Sequence, residues 1–477
     1  MKKVKGICLI LIIFLIVLIP VSVNAGEITN KSDITLNGTK ISSKVTDQKE
    51  STYITITKGH EIEIKSEEDI YSLYIVYEYS SKTGTISGNE KQAEIGENSF
   101  LHEYIDVKEK IGITNELKLE YNEDVKIADI YVLGEGELPA VVEKWEKPCD
   151  VADILLFSTH SDDEQLFFLG LMPTYVARGA YVQVVYFANH NDNPKRLHEQ
   201  LHGLYTVGIR HYPVLGLIPD AYSETLEGAI KNLKSAKLTE EDAKKFQVEN
   251  IRRFKPQVVV GHDEKGEYSH GQHILNTYLL EDAILKANDE SYDEASYNKY
   301  GVWQISKLYL HLYAKNQITM DYDTPLDYFG GKTAYEVSKE GYSKHLSQQW
   351  TWFTKWINGT NNSFKKATEI KKYSPLLFGL YYTNVGEDVN KNDMMENIKY
   401  YSEQIKEEEE RKAEEARKKA EEEKKKEEEI QSKTETNGNN TLIIIVALIV
   451  LIVVAAYIYV KRKRAKKRIN LKNRSGR

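Results

Sequence analysis

The stretch FSTHSDDEQLFFLG, residues 157–170, sets one histidine and three carboxylates directly after the apolar run Ile154-Leu155-Leu156. The run reads as a short buried strand. Gln165-Leu166-Phe167-Phe168-Leu169 reads as the beginning of a helix. His160, Asp162, Asp163 and Glu164 would then sit where a strand of an open α/β sheet ends, the place where such sheets hold ligands. Acidic residues near a helix N-terminus also suit a solvated cap. Alone, the stretch leaves both readings open.

Outward from it, strands alternate with helices. Residues 181–187, 213–217, 257–260 and 307–310 read as strands, and 196–207 and 238–254 as helices. The alternation implies a Rossmann-like, mostly parallel sheet covered on both faces. No Gly-rich phosphate loop follows any of these strands, so no nucleotide is indicated. The strand at 257–260 runs into a second cluster, Gly261-His262-Asp263-Glu264-Lys265-Gly266-Glu267-Tyr268-Ser269-His270-Gly271-Gln272-His273. A helix is expected from about Ile274, and His270 and His273, three apart, share a face of a first turn. Zinc in hydrolases commonly takes three N or O ligands and leaves one position open. Two strand ends that offer imidazoles and carboxylates to one crevice fit that demand.

These residues resemble the PIG-L or LmbE-like zinc-dependent N-deacetylases. His160-Ser161-Asp162-Asp163-Glu164 is similar to the family's His-Pro-Asp-Asp-Glu, with Ser161 in place of proline. Arg196, Glu199 and Gly208 fit the second motif, and Tyr268, His270 and His273 the third, with Gln272 where the family usually has aspartate. The resemblance covers 150–285 well and 300–390 loosely. It implies that His160, Asp163 and His273 bind zinc and that Asp162 is the general base on water. By the same resemblance His270 and Tyr268 would stabilise the oxyanion. Arg196 and Asp220 are candidates for substrate contacts, or for a structural ion pair. Glu164 is expected to support the loop, His190 to lie solvated on a loop outside the site, and Gln272 to leave His270 without a carboxylate partner. An acetamide is a poor electrophile, so its hydrolysis needs a metal to polarise the carbonyl and a carboxylate to take the proton of water. That demand gives the two adjacent aspartates different work.

The remaining segments place this catalytic domain, 150–390, in a longer plan. Residues 1–25 carry Lys2, Lys3 and Lys5, an apolar run and Val23-Asn24-Ala25, the pattern of a cleavable signal peptide or an uncleaved anchor. Residues 27–142 alternate with period two between Gly, Asn and Asp, which argues an antiparallel β-sandwich. The polar stretch 143–150 reads as a linker. Residues 405–430 are nearly all Glu, Lys, Arg and Ala with i,i+4 pairs and no apolar seam, so a solvated single helix of about 40 Å is expected as a spacer. Residues 442–460 form an apolar run without charge, long enough to span a bilayer, and the basic tail 461–477 is expected to stay cytoplasmic. Of two cysteines, Cys8 and Cys149, only the second lies beyond the signal, so no internal disulfide is available to the exported part. That usage, with the Lys- and Glu-rich composition, points to a bacterial surface protein. The net charge of −8 and the lack of a basic aromatic stripe argue against nucleic-acid binding. No obligate protein partner is inferred. The expectation is a membrane-anchored, extracellular zinc hydrolase that removes N-acetyl groups from N-acetylglucosamine-type sugars of a surface or wall glycan. The rival reading is a glycan-binding surface protein with a silent hydrolase domain.

Overall fold

The computed structural model describes residues 26–349, 352–434 and 442–472. The expected signal, residues 1–25, lies outside the described residues, as do residues 435–441 and residues 473–477 of the expected tail. The chain forms two compact units, divided between Trp145 and Glu146.

The first unit is built from two antiparallel sheets, one of six strands and one of four. In Glu61–Ile70 the inward isoleucines 62 and 64 are fully buried between partly exposed glutamates, the alternation of a strand with one wet face. Ser72–Tyr77 is buried throughout. One core takes side chains from both sheets, including Ile62, Ile64, Leu117 and Leu119 from the larger and Leu73, Ile75, Ile127 and Ile130 from the smaller. That arrangement is a β-sandwich.

The stretch expected as a linker is packed instead. Glu143 and Trp145 are buried, with the Trp145 indole N–H donating to Glu143 at 3.0 Å. In the second unit Cys149 is buried and its N–H donates to Gln183 at 2.9 Å. Trp and Cys in a short polar run are driven under cover by their apolar surface, which overrides the loop signal of the neighbouring charges.

The second unit holds a six-stranded sheet. Its strands in chain order are β1 (Ile154–Ser158), β2 (Val182–Tyr186), β3 (Val258–Gly261), β4 (Lys307–His311), β5 (Gln317–Thr319) and β6 (Leu377–Thr383), arranged in space as β2-β1-β3-β4-β6-β5. The first four neighbours are parallel, and β6 and β5 close one side antiparallel. β1 to β4 are buried at every position, as covered parallel strands must be. The expected strand at 213–217 is reduced to a single bridge between Val214 and Val185. Pro213 lacks a donor there, and Gly216 lies so close to the Ala188 carbonyl that a Cβ would come within 2.1 Å of it.

The charged helix, Tyr401–Thr434, is longer than expected, about 51 Å at 1.5 Å per residue. It starts earlier because the sheet caps it. The Asp153 carboxylate, just before β1, accepts from the Tyr401 N–H at 2.7 Å, and the Tyr401 hydroxyl donates to the Lys255 carbonyl just before β3. The helix thus leaves from the end of the sheet where the parallel strands begin. A further helix spans Leu442–Lys472, with side chains described only from Leu448 to Arg464. Among the described residues, no helix is long and apolar enough to cross a membrane.

Candidate metal centre

The cluster lies at the opposite end of the same sheet. After β1 the chain passes through Thr159–Ser161, and Asp162 enters a short helix, α1 (Asp163–Leu166), with φ of 140°. A non-glycine residue holds that conformation only when its surroundings impose it. The Asp162 N–H donates to Glu164 at 2.9 Å, and Glu164 lies within 2.9 Å of His345, both fully buried. His160 is 5%, Asp162 4% and Asp163 1% exposed, so the solvated-cap reading of this stretch fails.

A second helix, α2 (Pro194–Thr206), lies between β2 and β3, and α3 (Gly271–Lys286) follows β3. α3 begins three residues before its expected start, because His270 is its N-cap: its Nδ1 accepts from the Gln272 N–H at 3.2 Å. His273 is thereby carried on the first turn, facing back towards β1.

Three atoms converge. His160 Nδ1 lies 3.0 Å from Asp163 Oδ2 and 3.1 Å from His273 Nε2, and His273 Nε2 lies 3.1 Å from Asp163 Oδ2. The tautomers follow from the partners behind them. Gln272 Oε1 accepts from the Ala221 N–H at 3.1 Å, which fixes that atom as oxygen, so His160 Nε2 at 2.9 Å must carry the proton it shares with it. Glu267 accepts at 2.8 Å from His273 Nδ1, which places that proton on the far side of the ring as well. Two bare ring nitrogens and a carboxylate oxygen thus face one another in a buried place, which is costly unless a cation or protons sit among them. Their separations fall a little short of the roughly 3.3 Å edges that 2.0–2.1 Å bonds at tetrahedral angles would give. The residues fit a divalent metal.

The electrostatics show the same demand for positive charge, met by protons where no cation sits among the groups. Burial alone would raise the Asp163 carboxyl, but the imidazoles of His273 and His160 outweigh it and hold it well below the usual range. Burial lowers His273, and the carboxylates of Asp163 and Glu267 overcome this and push it up to about 10. Asp162 is pushed up to about 7, chiefly by burial, against the opposing pull of Arg196.

Of the other expected residues, Arg196 and Asp220 do form an ion pair, at 3.0 Å, and both line the cleft. Arg196 also donates to the Ser161 carbonyl at 2.6 Å and comes within 3.4 Å of Asp162. Tyr268, at φ of 47°, packs its ring against His270 and His273. Glu199 accepts from the Ser347 N–H at 2.7 Å, tying the segment after His345 to α2. Gln272 partners the ring of His160 and meets His270 only through its backbone N–H. His190 is 2% exposed, not solvated: its Nε2 accepts from the Ser161 N–H at 3.1 Å, and its Nδ1 lies 3.5 Å from Asp220. Glu267 and His262 were not expected at all. Glu267 is fully buried and takes His262 Nδ1 and His273 Nδ1 on one oxygen, at 2.8 Å each, and His311 Nδ1 on the other. The repeated His and Glu of the second cluster were the available signal.

The cleft, about 320 Å³, is lined by His160, Asp162, Arg196, Asp220, Tyr268 and His270, and by Tyr222, Trp352 and Phe353. A larger hollow of about 420 Å³, between helices Glu240–Phe254 and Gly271–Lys286, has no histidine among its lining residues and offers no comparable chemistry.

An open α/β sheet with imidazoles and carboxylates gathered at its strand ends defines a class of ligand-binding α/β domain, here with residues that fit a divalent metal. Residues 155–284 match PIG-L, GlcNAc-PI de-N-acetylase, and this segment of the chain belongs to that family. Among solved structures, the chain is similar to the conserved protein TT1542 from Thermus thermophilus, at 18% identity, covering 42% of this chain and 80% of that one, with a TM-score of 0.31. It is similar to N,N'-diacetylchitobiose deacetylase from Pyrococcus horikoshii, at 15% identity over 48% and 84%, with a TM-score of 0.35. It is also similar to CpGH89CBM32-6 produced by Clostridium perfringens, at 15% identity over 22% and 95%, with a TM-score of 0.19. Comparison with curated protein sequences found no match. The family match supports a deacetylase function.

Proposed function

We propose that this protein is a zinc-dependent hydrolase that removes N-acetyl groups from N-acetylglucosamine-type sugars of a surface or wall glycan. The observation that carries the reading is the convergence of His160 Nδ1, Asp163 Oδ2 and His273 Nε2 within 3.1 Å of one another, with His160 reaching a cleft that also presents Asp162 and His270. His160, Asp163 and His273 would hold the metal. When bound, such an ion supplies Lewis acidity towards an amide carbonyl and lowers the pKa of water.

The chain's own residues do the rest. Asp162 accepts the proton of the attacking water, and its burial suits a carboxylate that must hold that proton near neutral pH. His270 has its Nδ1 occupied as an acceptor, so its Nε2 carries hydrogen and can donate to the developing oxyanion. Tyr268 walls the cleft beside it. Arg196 and Asp220 offer a donor and an acceptor to sugar hydroxyls.

The apolar run at 442–460 and the basic residues after it support an anchored protein whose catalytic unit lies outside the cell, with the signal at 1–25 directing export. The test is metal content together with acetate release from chitooligosaccharides by the purified full chain. One bound divalent ion and chelator-sensitive acetate release are expected. Stoichiometric zinc without acetate from any N-acetylated sugar would reject the enzymatic reading in favour of a silent glycan binder.

A further inference from the structure

Two aromatic side chains stand exposed on the rim of the cleft: Tyr222 is 61% and Trp352 49% exposed. They are the ends of one row of rings. Tyr222 meets His270 edge to face at 5.1 Å, His270 meets Tyr268 at 5.4 Å, and Tyr268 meets Trp352 at 5.5 Å and 90°. Trp352 does not hang free, since Phe353 and Trp356 each lie 4.6 Å from it. Beside the row lie Asp162, Arg196 and Asp220. A half-exposed indole held by its neighbours at the mouth of a polar cleft is a recognition surface rather than core. Its chemistry, apolar ring faces flanking hydroxyl-binding groups, matches that of a pyranose, which has C–H faces and an equatorial belt of hydroxyls.

A site made for one terminal sugar needs a closed pocket around that sugar. Here the two exposed rings are joined through two intervening rings, His270 and Tyr268, by successive contacts of 5.1, 5.4 and 5.5 Å, so the aromatic lining spans more than one ring's worth of cleft. Resting on the deacetylase reading above, we propose that the cleft binds a glycan chain that runs through it, with one sugar on Tyr222, another on Trp352 and the N-acetyl group between them. Acetyl groups then leave internal sugars of an N-acetylglucosamine polymer, and the protein is not confined to chain ends.

The experiment compares chitobiose with chitohexaose on the full-length chain. Calorimetric titration of Asp162→Asn, which keeps the bound sugar intact, is expected to show the hexasaccharide bound about tenfold or more tightly than the disaccharide. Trp352→Ala and Tyr222→Ala in that background should each remove most of this advantage, and Trp352→Phe should keep most of it. Equal affinity for the two lengths, or losses that are the same at both lengths, overturn the proposal. With the active chain, mass-spectrometric sequencing of partly deacetylated hexasaccharide should place free amines at internal positions. Amines at a terminal sugar alone overturn it too. Failure of the active chain to release acetate from either sugar would defeat the deacetylase reading, and the titrations would still decide whether a chain lies across the cleft.

Discussion

Asp162 and Asp163 are chemically identical neighbours whose surroundings divide them. Asp163 is drawn between two imidazoles and kept ionised, while Asp162 is held on a strained backbone beside Arg196, its carboxyl pushed up to about 7 by burial. Asp162→Asn is therefore expected to retain its metal and lose roughly 10²–10⁴ in rate, the usual range for loss of a general base. Asp163→Ala should lose metal and activity together. Metal analysis beside kinetics separates the two, and an Asp162→Asn protein of normal rate would remove that residue from the mechanism. Behind His273, Glu267 sets the ring's tautomer, so Glu267→Gln, with an amide turned towards a ring N–H, should weaken metal binding by about 10–100-fold. Unchanged affinity in a competition titration with a chelator would show the contact to be structural only. The two clusters that hold His160, Asp163 and His273 were legible as strand ends rich in imidazoles and carboxylates. The choice of these three came from the family resemblance, and the structure brings their side-chain atoms together. His190 and Gln272 act through Ser161 and His160, far away in the chain, and the sequence shows their types but not their neighbours. Glu267 lies only five and six residues from His262 and His273, but the irregular turn between them has no period that would show the three facing one another.

At the scale of the element, legibility followed periodicity. β1 to β4 are short apolar runs and were readable as such, but a run at 213–217 with proline and glycine in it could not be told from a strand until its packing was seen. The start of α3 was misplaced because a histidine cap is a weaker signal than Ser, Thr, Asp or Asn. The sandwich supplies a test of burial within a strand. Asp129, in strand Val125–Leu133, is 1% exposed and accepts from the Gln48 N–H at 2.9 Å, and its carboxyl is pushed up to about 6, first by burial and then by Asp47 and Glu50. An unfolded aspartate titrates near 3.9. The folded state therefore holds the proton more tightly, and Asp129's contribution to stability is fully present below about pH 4 and lost as pH rises through about 6. Asp129→Asn keeps an acceptor for Gln48 and removes the titration. After allowance for solvent screening it should gain on the order of 1 kcal/mol at pH 7 and little at pH 4. Denaturant unfolding at the two pH values measures this, and an equal effect at both would show that Asp129 does not titrate between them.

At the scale of the whole molecule, the two units have separate cores. The sandwich core is made only of residues up to Val132, and the sheet of the second unit packs Leu155, Phe157, Val259 and Leu308 with residues of its own helices. Each core can therefore melt without the other, and calorimetry of the full chain should resolve two transitions. The proposed metal ligands, His160, Asp163 and His273, all belong to the second unit, so an ion bound there would stabilise that unit alone. The size follows from linkage: free metal at a hundred times its dissociation constant adds about 2.7 kcal/mol to whichever unit binds it. Chelation should accordingly lower one transition by several degrees and leave the other in place, and Asp163→Ala should mimic the chelated protein without further response to metal. A single transition that moves as a whole on chelation would mean that the units are energetically fused, and the sandwich would then have to be treated as part of the catalytic fold. A chelator that moves neither transition would leave the three converging ligand atoms without an ion to hold, and the metal assignment would fall with it.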